Sequence, residues 1–285
     1  MSFFRINAVP NRTTALALSW SLFVAGTALY FWTSHQRHVE NPEDRVVPSL
    51  SQMVKGMSDA ALKPDEADEQ EAGAENAPLW QRVHSSMLWK DTLASGKRFL
   101  WGLGLLFPAA IIGMHMALFP YVGTVFLRFI LFFDKIIALS VLPILFIAFG
   151  IDELSKIMLI VIGVTPTVIL DAFNLTKGVP PEQIVKGFTL GAGDFTVAYM
   201  VVLRQIWPRV LNSIRLNLKP VALFLFSGEM IASTDGLAYR IALLRRNLSM
   251  DVIIPYVLWV ALLLFLVDFG MRLLNKRLHP WFREA

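Results

Sequence analysis

The 285-residue chain contains no cysteine, which excludes disulfide scaffolds, thiolate zinc sites and cysteine nucleophiles. Charge is scarce too. Asp, Glu, Lys and Arg make up 17% of the residues, against about 25% in an average soluble domain, too few to coat a globular surface in water. Nucleotide and metal signatures are also missing. No G-x-x-x-x-G-K-[ST] run is present to cradle phosphates, and no G-x-S-x-G or G-x-G-x-x-G stands at a strand-to-helix turn. The five histidines (His35, His38, His84, His115 and His279) show no metal-ligand spacing such as H-E-x-x-H. Any ATP chemistry therefore belongs to another subunit. The net charge of +4 does not point to nucleic acid, because the basic residues flank apolar runs instead of forming a patch. There are no internal repeats.

Apolar length is what the chain has. It is 55% hydrophobic, with 21 Phe and 8 Trp. A hydrocarbon core about 30 Å thick takes about 20 apolar residues per helix. Six runs meet that need: Ala15–Trp32, Phe99–Phe119, Val122–Phe149, Lys156–Phe173, Leu216–Ala232 and Val252–Leu274. The chain reads as an all-α, multi-pass membrane protein. The first run has a short basic flank (Arg5, Arg12) but no small-residue cleavage site, and it ends in Tyr30-Phe31-Trp32, an aromatic interface belt. It is read as a retained span. The third run holds Arg128, Asp134 and Lys135, so its first turns are read as interfacial and its true span as later.

Lys and Arg in short flanks set orientation. Lys177, Lys186, Arg204, Arg209, Arg215 and Lys219 lie between or beside the fourth and fifth runs, and Arg272, Lys276, Arg277 and Arg283 mark the tail. Six spans place these clusters and the N-terminus on one side, read as cytoplasmic; Arg240, Arg245 and Arg246 fall opposite. The resulting organisation is an N-terminal tail with the first span (1–33), a periplasmic segment (34–98), a five-helix core (99–274) with a cytoplasmic loop (178–209), and a cytoplasmic tail (275–285). Within the periplasmic segment, residues 64–78 carry Asp65, Glu66, Asp68, Glu69, Glu71 and Glu75 with almost no apolar residue, the signature of a disordered solvated linker. Before it, Leu50, Met53, Val54 and Met57 fall at helical spacing, an amphipathic helix suited to the membrane surface.

Ionisable groups inside spans are functional candidates by default. Glu229, after Gly228 in the fifth run, is the candidate path or gate residue, with a structural hydrogen bond as the alternative. Asp268 has Arg272 at i+4, a structural pair. His115, alone on the second run, reads as a helix-packing residue. In the loop, Val179-Pro180-Pro181-Glu182 starts a helix, Gly191-Ala192-Gly193 breaks it, and Asp194 caps a second helix ending near Pro208. Two short helices about a glycine hinge make a docking surface.

From Leu142 onward the sequence resembles the permease subunits of ABC importers of the nitrate/sulfonate/taurine type. The family's P-L-x-x-x-W-F-G-x-x-E-x-S-K signature is similar to Pro143 through Lys156, with Gly150, Glu153, Ser155 and Lys156 in register. Its loop motif E-A-A-x-x-L-G-A falls on Val185, Lys186, Gly187, Phe188, Thr189, Leu190, Gly191 and Ala192. The following L-P-x-x-x-P-x-x-x-x-G-x-R-L falls on Leu203, Arg204, Pro208, Ser213, Arg215 and Leu216, and its Glu then Gly-Leu-Gly-Tyr element on Glu229 with Gly236-Leu237-Ala238-Tyr239. The family's terminal tryptophan matches Trp281. The chain departs at Val185 (glutamate in the motif), Gly187 (alanine) and Arg204 (proline).

The resemblance implies a six-helix, type I importer bundle in a bacterial inner membrane, carrying a small organic or inorganic solute such as an anion. It implies an ABC ATPase dimer that holds ATP and Mg and docks on Val185–Ala192, a second permease copy (identical or related), and a periplasmic substrate-binding protein. The chain itself would be no enzyme. A non-transporting membrane anchor or regulatory subunit is the alternative, favoured by the altered loop motif.

Overall fold

The computed structural model describes residues 11–41, 45–62, 86–231 and 233–282. Every regular element among them is helical. In chain order these are α1 (Arg12–Glu40), α2 (Leu50–Leu62), α3 (Met87–Leu118), α4 (Pro120–Phe133), α5 (Ala138–Phe149), α6 (Glu153–Lys177), α7 (Pro181–Thr189) and α8 (Asp194–Thr196). A π-helical stretch (Val197–Leu203) leads into α9 (Arg204–Leu216), then come α10 (Leu218–Ile231), α11 (Leu237–Arg246) and α12 (Met250–Leu278). The acidic linker at 64–78 lies outside the described residues.

The core forms where α3, α6, α9 and α10 meet. Leu106 and Met114 of α3 face Ile160 and Val164 of α6, with Ile206 and Ile214 of α9 and Val221 and Leu225 of α10 closing the cluster. All are buried. In a bilayer the hydrophobic effect gives no preference between a lipid chain and a Leu side chain, so this close packing itself holds the helices together. The periphery is accordingly apolar and open: Tyr121, Phe129, Ile147, Leu258 and Phe265 are exposed.

Among the described residues, α1, α3, α6 and α12 are each long and apolar enough to cross a membrane. The other two apolar runs differ from the sequence reading. Val122–Phe149 is not one continuous helix. It is two helices, α4 and α5, bent 97° apart at Asp134–Ile137. The charges mark the corner: Asp134 pairs with Lys135 at 3.0 Å and accepts from Thr167 Oγ1 at 3.1 Å, so its carboxylate is held by α6. Leu216–Ala232 becomes α10, whose 14 residues span about 21 Å, short of a hydrocarbon core taken alone.

The helix at 50–62 also packs on the bundle: Met57, Ala60 and Ala61 meet Tyr256 and Val252 of α12 and Leu88 of α3, while Leu50 and Val54 stay exposed. One further reading changes. The loop's second helix does not end near Pro208. Buried Ile206, Val210, Leu211 and Ile214 hold one face of α9 against the core on both sides of the proline, so it continues to Leu216. The first helix, α1, has no buried residue in its apolar window. It touches the rest through its C-terminal part, where Tyr30 Oη donates to Pro48 O at 2.8 Å and His38 Nε2 meets Gln52 Oε1 at 3.0 Å.

Candidate functional site

Asp91, Ser95 and Arg98 follow one another at i, i+4 and i+7 along α3, a polar stripe on one helix face. All three are buried. Arg98, 2% exposed, uses its whole guanidinium fork. Nε and Nη2 donate to the two oxygens of Glu153 at 2.5 and 2.6 Å. Nη1 donates to Glu229 Oε1 at 2.8 Å and to the Asp235 carbonyl at 3.0 Å, and Nη2 also meets the Asp235 carboxylate. Glu229 is fully buried, at 0% exposure. Besides Arg98 it accepts from Ser95 Oγ at 2.8 Å and from the Ala238 amide at 3.2 Å.

The same cluster holds the turn between α10 and α11. Asp91 accepts from the Gly236 amide at 3.1 Å and from Arg240 Nε at 2.9 Å, and Ser95 Oγ accepts from the Leu237 amide at 2.8 Å. Lys156, buried on α6, reaches Ser233 Oγ at 3.0 Å and Glu153 Oε1 at 3.5 Å. Gly236 sits at φ +120°, and a Cβ there would lie 2.8 Å from both Arg98 Nη1 and the Glu229 carboxyl; only glycine gives this turn both its backbone and its closeness to the charges. Three cations (Arg98, Lys156, Arg240) thus face four carboxylates (Asp91, Glu153, Glu229, Asp235), and together they fasten α3, α6, α10 and α11 at one end of the bundle.

His115 lies about 25 Å along α3 from Arg98. Its Nδ1 meets the Ile111 carbonyl at 2.7 Å, its Nε2 meets Tyr199 Oη at 3.2 Å, and its ring stacks on Phe119. Phe119 in turn touches Phe195 at a centroid distance of 5.6 Å. The loop residues are at this opposite end. Helix α7 closes with Gly191 N–H on Phe188 O at 2.9 Å and Ala192 N–H on Gly187 O at 3.2 Å, a Schellman cap that places Gly191 at φ +82°. Val185, Lys186, Phe188 and Leu190 are exposed, Leu190 at 79%, while Gly187 is buried against Val197. Glu229 and the loop are therefore not neighbours. Other charges serve packing: Asp268 takes Arg272 and Arg215, each at 3.1 Å, and Asp171 accepts from Ser213 Oγ at 2.5 Å.

The sequence reading found Glu229 but not its setting. In the linear sequence Arg98 is the last residue of the outer segment, Asp91 and Ser95 belong to no motif, and Lys156 is only a matching position of the family signature. The stripe at 91, 95 and 98 was the available signal.

Residues 106–280 match the family described as binding-protein-dependent transport system inner membrane component. The chain belongs to that family. It is 31% identical over 213 residues to the taurine transport system permease protein TauC of Escherichia coli strain K12, covering 75% of this chain and 74% of the relative. It is 30% identical over 143 residues to the putative aliphatic sulfonates transport permease protein SsuC of Bacillus subtilis strain 168, covering 50% of this chain and 52% of that one. In three dimensions the permease is similar to a chain of the inward-facing MetNI methionine ABC transporter, with a TM-score of 0.53 at 15% identity over 67% of this chain and 94% of that chain; at that identity the likeness speaks for the fold alone. The permease is a multi-pass transport subunit of the ABC importer class, and hydrolysis resides in a separate subunit. The anchor alternative has no support from these relatives.

Proposed function

We propose that the permease carries a small organic sulfonate or a closely similar anion across a bacterial inner membrane. The identity to TauC over three quarters of the chain carries this reading. The periplasmic binding protein would deliver the anion at the Arg98 end. A dimer of ATPase subunits, holding ATP and Mg, would dock on Val185–Ala192 and dimerise beneath two permease copies. Exposed Phe188 and Leu190 on a glycine-capped helix support that docking, because apolar side chains left in water are suited to burial against a partner. The proposed chain organisation is that of the sequence reading: 1–33, 34–98, a core at 99–274 with its coupling loop at 178–209, and the tail at 275–285.

Glu229 belongs to the outer end in this proposal, as a gate residue that holds the α10–α11 turn closed through Arg98. ATP binding would close the ATPase dimer and bias the bundle between two arrangements. The test is uptake of labelled taurine by proteoliposomes holding the complete importer, with methanesulfonate, sulfate and glycine as competitors. Competition by the sulfonate and not by glycine is expected. Uptake blocked by glycine and indifferent to methanesulfonate would reject the sulfonate class.

A further inference from the structure

A second site lies at the His115 end. A cleft of about 480 Å³ opens between the π stretch, α9 and the segment after α12, a size within the range of small-molecule sites. Ile111 and Leu203 form its apolar floor, Tyr199, Trp207 and Trp281 its walls, and Arg204 and His279 its polar edge. Among the described residues no carboxylate lines it. The walls are braced from behind. Tyr199 is held by His115, Trp207 packs on Phe107 at 6.2 Å, and Trp281 stands edge-on to His279 at 6.0 Å. His279 is fixed through Nδ1 by Asn275 at 3.0 Å, which leaves Nε2 for a ligand.

Arg204 decides the chemistry. Its side chain is exposed and has no hydrogen-bond or ion-pair partner among the described residues, in contrast to Arg98, Arg215, Arg240 and Arg272. It also stands where the resembled loop motif has proline. A guanidinium beside two indoles, above an apolar floor and with no acid in the lining among the described residues, matches a ligand with an oxyanion head and an apolar tail. We propose that this cleft binds an amphiphilic oxyanion, its phosphate or sulfonate head on Arg204 and its tail over Ile111 and Leu203. An anionic phospholipid and a soluble alkyl sulfonate present the same chemistry. Tyr199 and Leu203 belong to the stretch that follows the exposed loop, so a bound ligand would tie that stretch to the segment after α12.

The experiment uses the full-length permease, purified in a neutral detergent, and follows the tryptophan fluorescence that is lost on Trp281→Phe substitution. The probes are chain-brominated phosphatidylglycerol, chain-brominated phosphatidylcholine and octanesulfonate. Saturable quenching by phosphatidylglycerol, at least tenfold tighter than by phosphatidylcholine, supports the cleft with lipid as its ligand, and its relief by octanesulfonate places the soluble anion on the same site. Binding of octanesulfonate alone supports it with a soluble ligand. In either case Arg204→Gln lowers the affinity at least tenfold and Arg204→Lys recovers part of it; the exposed position makes both variants fold. Equal quenching by the two lipids with no octanesulfonate binding, or unchanged affinities in Arg204→Gln, overturns the proposal.

Discussion

Replacing Glu229 tests the buried network most directly, because each substitution removes a defined set of partners. Glu229→Gln keeps the side chain's shape and one acceptor oxygen. That oxygen can still accept from Arg98 Nη1 in the place of Oε1, but the amide nitrogen then stands where Oε2 accepts from the Ala238 amide, and the charge is gone. A hydrogen bond to a charged group contributes about 1.5–3 kcal/mol, and most of it survives in weakened form, so a loss of about 1–2 kcal/mol follows. Glu229→Leu leaves the Arg98 Nη1 group, the Ser95 hydroxyl and the Ala238 amide facing hydrocarbon. Breaking one side of a buried ion pair costs about 3–5 kcal/mol, so Leu is expected to be about 2–3 kcal/mol worse than Gln. Asp235→Asn is expected to be milder than either at the level of charge, since Asp235 is 54% exposed and water screens its pairing with Arg98. The assay is the thermal midpoint of the detergent-solubilised protein by size-exclusion fluorescence, with uptake by the reconstituted importer alongside. The expected order of midpoints is wild type, Asp235→Asn, Glu229→Gln, Glu229→Leu, with uptake reduced in Glu229→Gln although the protein inserts normally. Undiminished midpoint and uptake in both Glu229 variants would refute the role assigned to the network.

Gly236→Ala is expected to destabilise the permease by at least about 2 kcal/mol, because it adds a steric clash with Arg98 and Glu229 to an unfavourable φ; a thermal midpoint equal to wild type would contradict the geometry. Phe188→Ala is expected to weaken co-purification of the ATPase by about 2 kcal/mol or more, and Gly191→Val more than Gly191→Ala, since a β-branched residue resists positive φ; full retention of the ATPase in all three would move the docking surface elsewhere. A Gln70→Cys variant of this cysteine-free chain should react with an impermeant thiol reagent from the periplasmic side, and reaction from the cytoplasmic side alone would invert the topology. Deleting Asp65–Glu75 should leave insertion and uptake largely intact, measured on the same proteoliposomes.

What the sequence made legible was local. The helix at 50–62, the start of α7 at Pro181, the cap glycine at 191 and the Asp268–Arg272 pair each depend on residues within a turn or two of one another. Periodicity and capping chemistry act at that range, so a linear reading reaches them. The bend in Val122–Phe149 was half legible. Asp134 and Lys135 announced a break in the apolar run, but charge alone does not tell a membrane interface from a corner, and it was Thr167 of α6 that fixed the carboxylate there. The Arg98 cluster was not legible as a unit, because its partners stand 55, 131 and 137 residues away. Apolar content marks where runs begin, and Arg98, one residue before Phe99, lies just outside the run.

The burial of the charges divides the network into two layers. Arg98 and Glu229 are sealed from water, whereas Glu153 and Asp235 are 58% and 54% exposed. Water already reaches the two outer carboxylates and can hydrate them when they leave Arg98, at a cost above that of an exposed pair because Arg98 itself is buried. It cannot do so at Glu229 without flooding the space between α3 and α10. In the proposed transport cycle, a movement that opens this end of the bundle is therefore expected to separate α6 and the 233–236 turn from Arg98 first and to leave α3 and α10 joined through Arg98 and Glu229. Those two helices run on to the other end, α3 to His115 and its Tyr199 contact, α10 back into α9 and the π stretch. The pair that stays together at the charged end thus reaches, through His115 and Tyr199, the π stretch that follows the exposed loop.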